Sequence, residues 1–218
     1  MSRTVGVAVF LLLSAALFAS SWQKWITIEP LEAIAFITGA ACVWLTVEEN
    51  IWNWPIGIAN SAFFLVLFLE KRLFADGSLQ LIYIILGVLG WYLWLRGGKD
   101  KTELKIERTS APHALVLMAL GIGATWGMAI YLRSINDAAP FLDALTTVLS
   151  LVAQYMLTRK HLENWLVWMT ADIIYIYLYA SRTLYLTAVL YAIFFGMCVA
   201  GLLRWKRTHL ALVETAHG

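Results

Sequence analysis

The sequence predicts an all-α polytopic membrane protein with eight transmembrane helices, and three observations lead to that fold class. Of the 218 residues, 61% are hydrophobic, compared with roughly 45–50% in soluble domains, and the mean hydropathy is +0.73. The apolar residues are concentrated in eight stretches near the ~20 residues that a helix needs to cross a membrane. An internal repeat with an offset of about 111 residues relates two groups of three stretches.

The eight predicted spans are separated by short polar segments, with one exception. Residues 97–113, GGKDKTELKIERTSAPH, form the one long polar stretch and predict a solvated linker between the fourth and fifth spans. The spans are approximately Val5–Trp22, Leu31–Val47, Trp54–Leu69, Leu79–Leu95, Ala114–Leu132, Phe141–Thr158, Trp165–Ala180 and Leu184–Trp205.

The distribution of Lys and Arg predicts the orientation. Eight crossings place one set on one side of the membrane: Arg3, Arg96, Lys99, Lys101, Lys105, Arg108, Arg159, Lys160, Arg204, Lys206 and Arg207. The smaller opposite set is Lys24, Lys71, Arg72, Arg133 and Arg182. Because the richer side is usually cytoplasmic, both termini are expected in the cytoplasm. The first apolar stretch also resembles a signal peptide, but we expect a retained helix.

The repeat is carried by specific residues as well as by apolar ones. Residues 31–57, LEAIAFITGAACVWLTVEENIWNWPIG, overlay residues 142–168, LDALTTVLSLVAQYMLTRKHLENWLVW, without a gap. The Asn-Trp pair at 53–54 meets the pair at 164–165, and the register continues to residues 74 and 185. A two-residue gap then aligns Gly87 with Gly196.

The repeat predicts a three-plus-one-plus-three arrangement behind one extra helix. The expected segments are an N-terminal helix and loop (1–30), a first three-helix repeat (31–96), a cytoplasmic linker and connecting helix (97–140), a second repeat (141–207) and a cytoplasmic tail (208–218). An even number of crossings separates the copies, which are therefore parallel. Parallel repeats are typical of transporters with a substrate site near the bilayer midplane, although a structural or sensory bundle stays open.

One helical stripe predicts the substrate site. Trp165, Trp168, Asp172, Tyr175 and Tyr179 follow spacings of three and four, so they share one helix face. A carboxylate near mid-membrane costs a few kcal/mol and is by default a functional candidate.

The first repeat lacks this combination of aromatic and acidic side chains, since its matching positions are Trp54, Gly57, Ser61 and Phe64. An asymmetric site suits an asymmetric organic ligand. Because tryptophan faces attract flat cations, we expect a flat, polar, cationic heteroaromatic compound.

Other polar and aromatic residues within spans carry two interpretations. The amides Asn60, Gln80 and Gln154 are ligand contacts or interhelical hydrogen bonds. Near span ends, the sequence favours interface anchors and helix capping. The expected anchors are Trp91, Trp94 and Trp205, and the expected capping residues are Glu32, Asn53, Asp143 and Asn164.

Several classes of function have no support in the sequence. Cys42 and Cys198 lie in apolar stretches without metal or redox spacing and predict packing residues. No catalytic, metal-binding or phosphate-loop motif occurs, so no enzyme activity and no cofactor are expected. A net charge of +2 does not suggest nucleic acid; the expected partners are membrane lipid and a small molecule.

Three segments are distinctive: NWPIGIANS at 53–61, Trp165-Leu-Val-Trp168 after Asn164, and LYLTAVLYA from Leu184. With them the chain resembles the Pnu vitamin transporters over about residues 30–207. The resemblance implies a SWEET-like core of three-plus-one-plus-three helices in a bacterial inner membrane, assembled as a homotrimer. It also implies facilitated diffusion of nicotinamide riboside, thiamine or a related vitamin, with a cytoplasmic kinase trapping the product.

The resemblance further implies ring stacking by Trp165 and Trp168 and polar contacts from Gln80 and Asn60. Where nicotinamide riboside carriers often have Asn, this chain has Asp172, which leaves the choice of vitamin open. A proton-coupled carrier that uses Asp172 is a further alternative.

Overall fold

The computed structural model describes residues 30–70, 72, 74–137 and 139–217. Within them the chain forms seven α-helices and one short 3-10 helix, Lys99–Lys101. The α-helices are α1 (Pro30–Val47), α2 (Asn53–Glu70), α3 (Phe74–Arg96), α4 (Ala111–Ser134), α5 (Pro140–Thr158), α6 (Asn164–Ser181) and α7 (Tyr185–His217). They coincide with seven of the predicted spans; the predicted span Val5–Trp22 lies outside the described residues.

Among the described residues, five of these helices are long and apolar enough to cross a membrane, and the predicted count of eight spans stays a prediction. They comprise α2, α4, α5, Gly77–Arg96 of α3 and Thr187–Glu214 of α7. The apolar part of α1 is the shorter stretch Ile37–Val47. α6 is absent from the set although it has 18 residues. Its polar side chains, Asp172 and the tyrosines among them, lower its hydropathy.

α7 is longer than the span that the sequence predicts. It runs for 33 residues and continues beyond Trp205 to His217, so nearly all of the predicted tail, residues 208–218, is helical. The segment after Trp205 contains Ala, Leu, Lys, Arg and Glu, which are strong helix formers, and no Gly or Pro before residue 218. Helix propensity therefore extends the structure past the apolar stretch.

The helices pack in two similar groups. α2 packs against α3 and α6 against α7, while α1 joins α2 and α5 joins α6. Contacts of α1 with α7 and of α3 with α5 bring the groups together. α4 packs against α5 and exposes a large apolar surface.

Four tryptophans form a cluster where the two groups meet. Trp54 packs edge-on against Trp94 with ring centroids 5.3 Å apart, and Trp165 packs edge-on against Trp205 at the same distance. Trp94 and Trp205 lie 5.8 Å apart. This tryptophan cluster corrects the prediction of interface anchors, because Trp94 is 3% and Trp205 0% exposed. Trp91, at 39%, does face outward.

The hydrogen bonds of the tryptophan cluster, like its ring pairs, join positions that are related by the repeat offset of 111 residues. The indole N–H of Trp94 donates to the carbonyl of Leu157, and that of Trp205 donates to the carbonyl of Thr46, both at 3.1 Å. The donors are 111 positions apart, as are the acceptors. Equivalent positions therefore make equivalent contacts.

Two glycines permit this packing. A Cβ at Gly90 would overlap the Trp54 ring, and a Cβ at Gly201 would lie 2.5 Å from the Trp165 ring. These glycines are also 111 positions apart. The two-residue gap that aligned Gly87 with Gly196 is therefore wrong, because contacts continue at the original offset into α3 and α7.

Gly90→Ala is expected to destabilise the fold, since the added methyl group meets a buried ring. Overpacking of this kind costs about 1–3 kcal/mol, so the melting temperature of the purified protein should fall. Gly127→Ala is the matched control, because a Cβ there meets nothing within 4 Å. Equal melting temperatures for the two variants would contradict the packing described.

The polar segment after α3 is largely exposed, but it also docks on the bundle around Ile106. Ile106 is 2% exposed and belongs to the apolar core around the tryptophan cluster. The backbone N–H of Glu107 donates to Lys160, and that of Leu162 donates to Glu107. His209 Nδ1 lies 2.9 Å from the Ile106 carbonyl. One buried isoleucine and three backbone groups of the segment, the Glu107 N–H and the carbonyls of Glu107 and Ile106, thus anchor it.

Candidate substrate site

A cavity of about 470 Å³ lies among α1, α2, α3, α5, α6 and α7. This volume falls within the range of about 300–1,000 Å³ typical of small-molecule sites. All seven residues that the sequence predicts as substrate contacts line it: Asn60, Gln80, Gln154, Trp165, Trp168, Asp172 and Tyr175. The fold therefore brings residues from four helices around one space.

Two matching stripes, on α6 and α7, contribute seven residues to one wall of the cavity: Trp165, Trp168, Asp172, Tyr175, Tyr191, Phe194 and Cys198. The α6 stripe runs Trp165, Trp168, Asp172, Tyr175 and Tyr179. The facing α7 stripe runs Tyr191, Phe194, Cys198, Gly201 and Trp205, with the same spacings of three and four. Because the helices are antiparallel neighbours, Trp165 meets Trp205, Asp172 meets Cys198, and Tyr175 stacks on Tyr191.

Asp172 supplies a carboxyl group to this wall. Its side chain is 5% exposed, and the thiol of Cys198 donates a hydrogen bond to its Oδ2 at 3.5 Å. Among the described residues that line the cavity, Asp172 is the one acid and there is no Lys or Arg. A buried carboxylate without a basic neighbour is costly unless a cation or hydrogen-bond donor joins it. The site therefore favours a ligand that is positively charged or rich in donors.

Aromatic rings line the same part of the cavity as Asp172. The ring centroids of Tyr175 and Tyr191 lie 4.6 Å apart in a stacked arrangement, and Tyr179 stacks on Tyr191 at 5.3 Å. Trp168 is half-buried, whereas Trp165 is 1% exposed and packs in the tryptophan cluster. Trp168 is thus the better placed of the two to stack with a ligand, and Trp165 contributes chiefly to the packing beneath it.

On α2, the positions equivalent to Trp168 and Asp172 carry smaller side chains. Asn60 uses an amide N–H to donate to Thr38 at 2.7 Å, which orients its side chain across α1 and α2. Gly57 and Ser61 stand where the second group has Trp168 and Asp172. The cavity is therefore asymmetric, although equivalent positions of two similar helix groups line it.

Sequence reasoning missed several lining residues. Tyr83, Ser150, Tyr191 and Phe194 line the cavity, and so does Cys198, which was predicted to be a packing residue. An ungapped repeat would have matched Tyr191 to Gln80 and Phe194 to Tyr83. Ser150 lies one turn before Gln154 on α5. The gap introduced after residue 74 concealed the matches of Tyr191 with Gln80 and of Phe194 with Tyr83.

The predicted capping residues have other partners. Asn164 is the first residue of α6, but its amide donates to the His161 carbonyl and no side chain caps the helix. The amide of Asn53 donates to Thr46 at 3.0 Å. Asp143 lies in the first turn of α5, as expected, where it also pairs with Arg182 at 4.0 Å. The side chain of Glu32 lies outside the described part of the chain.

The end of α6 nearest the docked segment is held by Glu163. Its carboxylate accepts hydrogen bonds from the Thr109 backbone at 2.8 Å and the Thr109 hydroxyl at 2.9 Å, and it pairs with Arg108 at 3.3 Å. Burial alone raises the pKa of Glu163, but these hydrogen bonds outweigh burial and hold the pKa below its ordinary value. The helix carrying Trp168 and Asp172 is thereby tied to residues 106–109.

Acidification is expected to loosen this junction through His161. Burial lowers the pKa of His161, and the neighbouring His113 lowers it further. Above the ordinary value of 6.5, His161 is neutral in the docked and the released state, so docking is at full strength. As pH falls below that value the released state binds the proton first, and docking weakens. The stabilisation from Glu163 is lost only near and below its ordinary value of 4.5.

Hydrogen exchange at the Glu107 and Leu162 amides measures this effect. Protection, corrected for intrinsic rates, should decrease between pH 7.5 and 5.5 in the parent protein. His161→Gln does not titrate and should show little change across the same interval. Equal protection of the parent at both pH values would disprove the role of His161.

Comparisons with known proteins agree with this architecture. The model of the nicotinamide mononucleotide transporter family matches residues 29–207. The nicotinamide riboside transporter PnuC of Escherichia coli (strain K12) is 28% identical over 201 residues, which cover 80% of this chain and 84% of that protein. The riboflavin/roseoflavin transporter RibM of Streptomyces davaonensis is 23% identical over 181 residues, with 80% and 83% covered.

A solved structure has the same fold. The crystal structure of the vitamin B3 transporter PnuC matches with a TM-score of 0.70 and 24% identity, covering 95% of this chain and 92% of that one. The family match extends over most of the chain and includes each residue of the cavity. The chain therefore belongs to the nicotinamide mononucleotide transporter family and is a multi-pass membrane transporter, not an enzyme.

Proposed function

We propose that the chain carries nicotinamide riboside across the bacterial inner membrane by facilitated diffusion. The observation that carries this proposal is the cavity wall in which Asp172 lies along α6 between Trp168 and Tyr175, the residue that stacks on Tyr191. Relatives named as nicotinamide riboside transporters support the choice of substrate. Phosphorylation of the product by a cytoplasmic kinase would keep it in the cell and sustain net uptake.

The chemistry of nicotinamide riboside matches the lining of the cavity. Its pyridinium ring is flat and positively charged, so it suits tryptophan and tyrosine faces beside a carboxylate. Its ribose hydroxyls and carboxamide can exchange hydrogen bonds with Gln80, Asn60 and Gln154, which also line the cavity. We therefore assign substrate contact to these residues, with Trp165 supporting the aromatic wall from below.

The proposal includes a transporter core of two parallel three-helix repeats. The equivalent contacts of the Trp54–Trp94 and Trp165–Trp205 pairs support two copies related by an axis along the membrane normal. With α4 as the connecting helix and one further helix before Pro30, the chain would cross the membrane eight times. The distribution of Lys and Arg then favours cytoplasmic termini, and a homotrimer is the assembly we expect.

Thiamine is the second candidate substrate, and Asp172 is the observation that favours it. Thiamine is also a cation with flat aromatic rings, and its aminopyrimidine offers N–H donors to a carboxylate. Riboflavin enters the comparison because one relative is named a riboflavin/roseoflavin transporter. Riboflavin is neutral, so a cavity with an unpaired carboxylate suits it less well.

Counterflow in proteoliposomes tests the proposed function. Vesicles preloaded with unlabelled nicotinamide riboside should accumulate labelled nicotinamide riboside without any ion gradient, whereas empty vesicles should not. Unlabelled thiamine and riboflavin are compared as competitors. Absence of nicotinamide riboside exchange would overturn the substrate assignment, and exchange that needs a proton gradient would overturn facilitated diffusion.

A further inference from the structure

Asp172 and Cys198 form a buried polar pair in the wall of the cavity. They come from different helices, α6 and α7, and are 5% and 4% exposed. The thiol donates to carboxylate Oδ2 at 3.5 Å, within the range of sulfur hydrogen bonds. Both residues line the cavity, so the pair borders the space that a ligand would occupy.

A thiol is an unusual choice of partner for a buried carboxylate. An Arg or Lys in its place would cancel the negative charge and use both oxygens. A thiol is neutral and a weak donor, so it can fix the side-chain rotamer through one oxygen while the charge is retained. The second oxygen then remains available to a ligand.

The pair has no counterpart in the other half of the chain. The positions 111 residues earlier are Ser61 and Gly87, which offer neither a carboxylate nor a thiol. A Cβ at Gly87 would meet Ile58 at 2.8 Å, so that half leaves no room for the second partner. Carboxylate and thiol are thus found together on the aromatic wall, where stacking with a cationic ring would occur.

We propose that Cys198 is a positioning residue that holds Asp172 towards the cavity and thereby makes the site select cationic ligands over neutral ligands of the same shape. This inference rests on the proposed transport of a flat cationic vitamin. Cys198 acts through Asp172, so its effect depends on the presence of the carboxylate and on the charge of the ligand. A packing role would depend on neither.

Binding to the purified full-length protein tests the inference with two ligand pairs matched in shape. Nicotinamide riboside is compared with benzamide riboside, a neutral analogue, and thiamine with the neutral 3-deazathiamine. For each cation that the parent binds, Cys198→Ala should weaken binding three- to tenfold. Binding of the matching neutral analogue should weaken less than twofold. Cys198→Ser, which restores a donor, should recover most of the selectivity.

The Asp172→Ala background provides the second readout. If the thiol acts through the carboxylate, Cys198→Ala should have no further effect on cation binding in that background. Three results would each overturn the proposal. Cys198→Ala could lower the affinities for cation and analogue equally, it could leave the affinity for the cation unchanged, or it could lower that affinity as much in the Asp172→Ala background as in the parent. If Cys198→Ala does not fold, Cys198→Ser is used for the test. Its ratio of cation affinity to analogue affinity should stay close to that of the parent, and a ratio below one third of the parent's would overturn the proposal.

The two ligand pairs separate this inference from the proposed function. A parent protein that binds thiamine and not nicotinamide riboside would refute the substrate proposed above. The effect of Cys198 would then be read from thiamine and 3-deazathiamine alone. A parent that binds neither cation more tightly than its neutral analogue would refute the inference directly.

Discussion

Asp172→Asn is expected to weaken binding of nicotinamide riboside at least tenfold, equivalent to about 1.4 kcal/mol. The substitution preserves shape and removes the charge, while the described lining of the cavity supplies no other acid. A buried charge interaction that loses one partner commonly costs more than an exposed pair. The measurement is tryptophan fluorescence titration of purified protein.

The two candidate vitamins should respond differently to this substitution. An amide can still accept hydrogen bonds from the ribose hydroxyls of nicotinamide riboside, but it serves the amino group of thiamine less well than a carboxylate does. A larger loss for thiamine would favour thiamine as the natural substrate. Glu103→Gln is the control, because it removes the same charge from an exposed residue of the docked segment. Unchanged affinity for every vitamin, with intact stability, would exclude contact between Asp172 and substrate.

The position of Asp172 could be predicted because helical periodicity and membrane depth are both readable from sequence. Spacings of three and four put it on one face with Trp168 and Tyr175, and about 12 Å of helix rise separate it from Asn164. The cost of a lipid-exposed carboxylate then requires an interior position. The structure places Asp172 in such a position, 5% exposed.

The tryptophan cluster could not be predicted by the same reasoning. Trp94 and Trp205 lie close to the ends of apolar stretches, where tryptophans are also common at the lipid–water interface. The distinction depends on which neighbour leaves space for the ring. Gly90 and Gly201 provide that space for Trp54 and Trp165, but a glycine in an apolar stretch does not identify its neighbour before the helices are packed.

The docking of residues 97–113 could not be predicted from the sequence for a different reason. Residues 97–113 contain many charges and few apolar residues, so their average composition predicts exposure to solvent. Their placement instead depends on Ile106, which enters the core, and on Glu163, which collects hydrogen bonds from Thr109. Single contacts of this kind are not visible in a windowed average of hydropathy.

Trp168→Ala is expected to abolish ring stacking while leaving the fold intact. Loss of one stacked tryptophan should lower vitamin affinity at least tenfold, or about 1.4 kcal/mol, consistent with cation–π interactions in a desolvated site. The side chain is half-buried at the edge of the core. Gly57, the equivalent residue of the first half, shows that the helix pair accepts a small residue at this position. The measurement is ligand titration together with a melting curve.

Trp165→Ala is the matched comparison, because the two tryptophans lie one turn apart and differ in burial. Trp165 is 1% exposed and packs against Trp205 and Gly201, so its removal leaves a cavity that costs about 3–5 kcal/mol. We therefore expect Trp165→Ala to lower the melting temperature strongly and Trp168→Ala to lower it little. If Trp168→Ala binds every vitamin as tightly as the parent while remaining folded, Trp168 does not contact substrate. The stacking surface would then have to be sought in the Tyr175–Tyr191 pair.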